Sequence, residues 1–249
     1  MIGRRSVERA MRTYDLYLES GPKMRKTMVH VLALTGCIAT GATTDAALAA
    51  TPAAIRAYLR FLHGIGERVD PNETFETRVA EHITEGEWLG NGSPYLVFAP
   101  DLEPATDAHV RTCLRRFHAL RETLASWAES RTAKDLDAAP KGGGRTARQI
   151  LLHVMPSPGG YLSPVIGGAK GFAATQGAAE RGEISIAAGL RRVDELAADA
   201  LRHTTREQRS AVIHRPKDVR TMRKALRRML EHDWEHLAEL ARRAGGPGI

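Results

Sequence analysis

Histidine is the residue type that carries chemistry most plainly in this chain, which holds ten of them. His232 and His236 stand four apart in the run His232-Asp233-Trp234-Glu235-His236. On a helix that spacing puts both imidazoles on one face, one turn apart. They extend the row Ala225, Met229 along the border of an apolar stripe, so both rings can point inward. Two imidazoles so placed can chelate one ion, and a third ligand must come from another element. His153, at the end of Gln149-Ile150-Leu151-Leu152-His153 and beside the apolar face of a short helix, is the natural candidate. Three neutral imidazoles form a nitrogen site for zinc, nickel, iron(II) or manganese, with remaining positions open to water or a small-molecule substrate. Zinc so held lowers the pKa of bound water to about 7, and it binds a thiol as the thiolate. The run is not the zincin motif, which has glutamate directly after the first histidine, where Asp233 stands here. Asp233, Glu231 and Arg228 lie near enough in sequence to tune such a site. The plain alternative is a histidine pair on a solvated helix face and a hydrogen-bonded His153.

The elements that must hold these residues change character near residue 100. Four helical stretches follow it, at about 105–130, 146–155, 183–203 and 220–243. Val110, Leu114, Phe117, Leu120, Leu124 and Trp127 make the first apolar stripe. Ile186, Leu190, Val193, Leu196 and Leu201 make that of the third. Met222, Leu226, Met229, Leu230, Leu237 and Leu240 make that of the fourth. The second is short (Ala147, Ile150, Leu151, Val154), and Pro156 and Pro158 interrupt it just beyond His153. That is where the site would be distorted. Amphipathic helices bury their stripes only by packing together, which gives an all-α antiparallel four-helix bundle. Gly-rich 140–144 and 167–182 read as flexible connections.

Before residue 100 the signals are strand-like. Tyr14, Leu16 and Leu18 alternate with polar neighbours over Thr13–Glu19, the period of a half-buried strand. Lys26–Ala33 and Cys37–Thr40 follow as strands, with Thr35-Gly36 between them. Thr43 or Thr44 can cap a helix to about His63, and Pro52 predicts a kink or restart capped by Thr51. Phe75–Ile83 reads as a fourth strand, Tyr95–Ala99 as a fifth, and 84–104 as a linker. The expectation is therefore an α+β chain of two domains, 1–100 with a β-β-β-α-β order and 101–249 all helical.

Hydrophobic residues are 43% and charged residues 26%, ordinary for a soluble globular protein. The absence of a long apolar run argues against a membrane span, and no signal pattern precedes the apolar stretch 28–50. A cytoplasmic protein is the expectation. Two cysteines, Cys37 and Cys113, support neither a disulfide framework nor a multi-cysteine zinc site. Cys37, after Gly36, reads as a small packing residue rather than a reactive thiol. The net charge of +7 fits arginine-rich solvated helix faces better than a nucleic-acid partner.

The segment Met222–Leu240, with Leu226-Arg227-Arg228-Met229-Leu230-Glu231-His232-Asp233-Trp234-Glu235-His236-Leu237, resembles the last helix of the DinB superfamily. Arg148–Tyr161, with Leu151-Leu152-His153-Val154, resembles its second helix. The resemblance covers about residues 105–244. It implies a four-helix bundle and a divalent metal held by His153, His232 and His236. It also implies, for some members, a metal-dependent hydrolase, or a transferase or isomerase using a low-molecular-weight thiol. Residues 12–83, above all Leu34-Thr35-Gly36-Cys37-Ile38-Ala39-Thr40-Gly41-Ala42-Thr43-Thr44-Asp45, resemble the HicB-like domain, with Thr35 where proline is usual. That resemblance implies a module that binds a protein or RNA partner. A non-catalytic interaction protein, a metal-stabilised scaffold or a homodimer is thus the alternative to an enzyme.

Overall fold

A computed structural model describes residues 11–249, and the chain in it is α+β, a four-stranded sheet followed by a helical region. The period-two segment forms β1 (Arg12–Ser20), with Tyr14, Leu16 and Leu18 buried. The chain turns into β2 (Thr27–His30), antiparallel to β1, and then β3 (Ile38–Gly41), antiparallel to β2. Thr43 caps α1 (Thr44–Gly64) by accepting from the Ala46 amide, and Asp45 sits in the first turn. α1 packs over β2 and β3 and carries the chain across to β4 (Phe75–Ile83), which pairs parallel to β1. A parallel neighbour demands such a crossover. The sheet order is β3-β2-β1-β4.

Four expectations for this half need correction. Pro52 neither kinks nor restarts the helix, and α1 runs through it. Pro52 lies on the exposed face, so the only bond it removes is the one to the Leu48 carbonyl, and Thr51 Oγ1 turns back to Ala47 O at 2.8 Å instead of capping. The second strand is shorter than expected, because a 3-10 turn at Leu32–Leu34 takes over from it. Gly36 closes that turn at φ +108°, where a Cβ would overlap the Tyr58 hydroxyl that donates to Thr35 O. No strand forms at Tyr95–Ala99. Pro94 and Pro100 frame it, and a 3-10 turn at Ala99–Leu102 follows, with Asp101 accepting from the Phe98 amide. Nor is 84–104 a loose linker: Leu89, Leu96 and Phe98 are buried against Tyr17, Leu32 and Ile83.

The helical region comprises α2 (Asp107–Glu129), α3 (Ala133–Asp137), α4 (Ala147–Val154), α5 (Ser157–Ile166), α6 (Phe172–Glu180), α7 (Ile186–Arg202), α8 (Arg206–Ser210) and α9 (Met222–Ala241). A short hairpin, β5 (Ile213–His214) with β6 (Val219–Arg220), leads into α9. α2 packs on α7 and α9, and α4 and α5 both pack on α9. The stretch 167–182 is not a flexible connection throughout: α6 lies within it, and buried Phe172 packs against Gly159. One apolar core runs from Tyr14 and Ile55 through Phe117, Val154 and Leu190 to Leu240. Trp234 of α9 stacks edge-on against Tyr58 of α1, ring centroids 4.8 Å apart. No helix among the described residues is long and apolar enough to cross a membrane.

Candidate metal centre

The three histidines singled out by spacing converge. His232 and His236 lie one turn apart on α9, and His153 comes from α4. One ring nitrogen from each can be chosen so that all three lie within 4.8 Å of one another. His232 Nε2 and His153 Nε2 are 3.1 Å apart. The ring centroids are separated by 4.7 Å (His232–His236), 5.0 Å (His153–His232) and 5.1 Å (His153–His236). His232 and His236 are buried while His153 is exposed, so the cluster opens to solvent on the α4 side.

Proline places His153 without spoiling the site. α4 ends at Val154, Pro156 keeps a helical φ/ψ, and α5 resumes at once. Pro158 has no amide to donate to the Val154 carbonyl. That carbonyl instead accepts from Ser157 Oγ (2.7 Å) and Arg121 Nη2 (2.7 Å). The same Arg121, fully buried on α2, grips Asp233 of α9 at 2.6 and 2.9 Å. One guanidinium therefore ties α2, the end of α4 and α9 together directly behind the histidines.

Burial, joined by nearby cations, pushes all three histidine pKa values down, and the other imidazoles add to this at His236, brought to about 4, and at His232, well below its ordinary value. Neutral imidazole is the metal-binding form. His236 Nδ1 lies 3.0 Å from Glu239 Oε2, which leaves its Nε2 for a ligand. Glu239 is anchored in turn by Arg243 at 3.0 Å and faces Arg145 at 3.6 Å. A carboxylate behind a ligating imidazole is the usual means of fixing its tautomer and direction. His232 Nδ1 is buried without a hydrogen-bond partner, 3.9 Å from Asp233. Tyr161 of α5 borders His232, ring centroids 6.1 Å apart. The donor set, the neutral state and the Glu239 support fit a divalent ion.

A second cluster, unforeseen from sequence, lies on the neighbouring face of α9. His30 of β2, wholly buried, meets Glu231 at 2.8 Å and Glu19 at 3.5 Å. Glu231 also accepts from Arg227 (3.0 Å) and Arg228 (2.8 Å), and Arg227 pairs twice with Asp101. Glu19 accepts from the Gly92 and Ser93 amides. Burial opposes charge on His30, but Glu231 and Glu19 outweigh it and hold its pKa above the ordinary value. Burial likewise opposes charge on Glu231, yet Arg227, His30 and Arg228 hold it far below the usual carboxylate range. A charged residue inside an apolar run was the available signal: His30 within Met28–Val31, and Arg121 between Leu120 and Leu124. Cys37 and Cys113 are buried and unpaired, and burial pushes both thiols up, Cys113 to about 12. They stand apart from the three histidines.

A family model described as the DinB superfamily matches residues 116–240. That span contains the three histidines, Arg121, Asp233 and Glu239, and leaves the sheet outside it. No curated protein and no solved structure matches the chain.

Proposed function

The chain belongs to the DinB superfamily, and on that footing we propose that it is a divalent-metal protein whose ion is held by His153, His232 and His236. The observation that carries the proposal is the convergence of three neutral imidazoles from two helices within 4.8 Å, with one side open to solvent. When bound, such an ion supplies a Lewis acid that lowers the pKa of a water or thiol held there. Glu239 orients His236, and Arg121 with Asp233 fixes α9 against α2 and the end of α4. The reaction class is metal-dependent hydrolysis, or transfer or isomerisation with a thiol, on a small molecule. A thiol would have to come from outside the chain, because burial keeps Cys37 and Cys113 protonated and out of reach.

We read α2, the α4–α5 pair, α7 and α9 as the arms of a DinB-type four-helix bundle. Residues 12–83 are read as a HicB-like module, supported by the order β-β-β-α-β. Its His30 and Glu19 brace α9 from inside the molecule. Metal analysis of the purified full chain beside His153→Ala and His236→Ala tests the proposal. About one equivalent of a divalent metal is expected in the wild type, with most of it lost in both variants. Equal metal content in all three proteins refutes it. Hydrolase and thiol-transfer screens of the metal-loaded protein then separate the two reaction classes.

A further inference from the structure

The first turns of α9 hold Arg223, Lys224, Arg227 and Arg228, and no acid occupies the first turn. Cations at a helix N-terminus oppose the macrodipole, so each calls for a counter-charge. Three have one. Arg223 pairs with Glu103 at 2.7 Å, Arg227 with Asp101 and Glu231, and Arg228 with Glu231. Lys224 is the exception. It is 6% exposed, its ammonium donates to Val219 O at 2.8 Å, and no carboxylate lies within 4.0 Å of it among the described residues. Arg228, 2% exposed, turns its guanidinium to Glu231, and its Nε is sealed from solvent.

Both side chains line one cavity of about 190 Å³, whose apolar side is made by Tyr95, Tyr161, Pro164 and Val165. Arg220 and Asp218 also border it and neutralise each other at 2.7 Å. The volume equals about six water molecules, room for a small organic acid. The charges leave one positive charge over, that of Lys224.

We propose that this cavity binds a small organic monoanion, its carboxylate on the Lys224 ammonium and its apolar remainder against Tyr95, Tyr161 and Val165. A dianion such as phosphate would need a second unpaired cation. Tyr161 is a wall shared with the histidine cluster, so the bound acid lies one side chain from His232 and is the substrate class of that centre. The word substrate rests on the metal proposal above; binding of the anion does not.

Calorimetric titration of the metal-loaded full chain with benzoate, benzamide and inorganic phosphate tests this. Benzoate is expected to bind at about millimolar Kd or tighter, and benzamide and phosphate at least about tenfold more weakly. Lys224→Met should weaken benzoate at least about tenfold, while Lys224→Arg keeps it within about threefold. Gly160→Leu is a second, charge-neutral variant: Gly160 lines the cavity, and a Cβ there meets nothing within 4 Å. It should block benzoate while the fold is kept. His236→Ala should still bind benzoate after losing its metal. Should benzoate and benzamide bind alike, or folded Lys224→Met bind as the wild type does, the proposal is overturned. Phosphate binding more tightly than benzoate overturns the monoanion assignment. Benzoate binding that needs Lys224, in a protein whose metal content ignores His153 and His236, sinks the metal proposal and leaves this one standing.

Discussion

Replacing Arg121 by methionine tests the strut behind the histidines. The guanidinium is fully buried, meets Asp233 at two points and donates to Val154 O. Methionine keeps most of the apolar stem but leaves the Asp233 carboxylate buried and alone. Breaking a buried pair from one side costs about 3–5 kcal/mol. A separate route sets a lower ceiling. Burial already holds the Asp233 carboxyl up at about 6, so it can escape by taking up a proton at pH 7 for only about 1.4 kcal/mol. The Val154 carbonyl keeps Ser157 Oγ as a donor, so its share of the loss is about 1 kcal/mol at most. Protonation is the cheaper escape, so the expected loss is about 2 kcal/mol, still a sizeable part of the stability of an ordinary domain. Urea denaturation followed by the fluorescence of buried Trp234 measures it. Arg121→Met with Asp233→Leu removes both charges and should recover at least about 1 kcal/mol. A single-variant loss under about 1 kcal/mol, or no recovery in the double variant, refutes the strut.

Two further outcomes follow from the same geometry. Glu239→Gln should weaken metal binding by about 10- to 100-fold, because it weakens the carboxylate partner of His236 Nδ1; competition with a chromophoric chelator reads this, and unchanged affinity contradicts the orienting role. His30 has its folded pKa raised above 6.5, so its stabilisation is fully present below about pH 6.5 and lost as pH rises through the folded value. The stability difference between wild type and His30→Gln should thus shrink from pH 6 to pH 9 in urea titrations, with Arg227, Glu19 and Glu231 the charged groups that face the ring; a pH-independent difference contradicts a charged His30.

The histidine triad was legible because each part leaves a mark in sequence. The four-residue spacing of His232 and His236 lies on a strong helical period, and His153 borders a second apolar stripe. Four of the five expected strands formed, since the alternation of Tyr14, Leu16 and Leu18 and the Gly-Thr punctuation around Gly36 and Gly41 are local signals. What failed depends on partners distant in sequence. Tyr95–Ala99 has strand-like composition but finds no strand edge, and packs as a loop on Tyr17 and Ile83. Pro52 reads as a breaker only until its solvent-facing position is known. The network of Glu19, His30, Asp101, Arg227 and Glu231 depends on links from His30 to Glu231, Asp101 to Arg227 and Glu19 to Gly92 that span 201, 126 and 73 residues. No periodicity reports that. Arg121 was hidden for the same reason: its partners Val154 and Asp233 lie 33 and 112 residues away.

The two buried charge systems bear on the candidate metal centre through α9 itself. One face of that helix meets the sheet through His30 and Glu231, and Asp233 on it meets α2 and the end of α4 through Arg121. Buried ion pairs contribute little net stability over apolar packing of the same volume, so stability alone does not account for their presence in this core. They do fix position. A slip of α9 by one residue moves each histidine by 1.5 Å along the axis and turns it about 100° around it, whereas zinc–nitrogen bonds are held near 2.0–2.1 Å. Apolar contacts with Leu226, Leu230 and Leu237 would tolerate a partial slip; charge pairs at 2.6–2.9 Å to other elements on two sides of the helix would not. Stability and register therefore separate in the Arg121→Met, Asp233→Leu double variant. It regains its fold energy while losing the strut that aligns α9 with His153, so its metal affinity should stay below that of the wild type even where its unfolding midpoint does not.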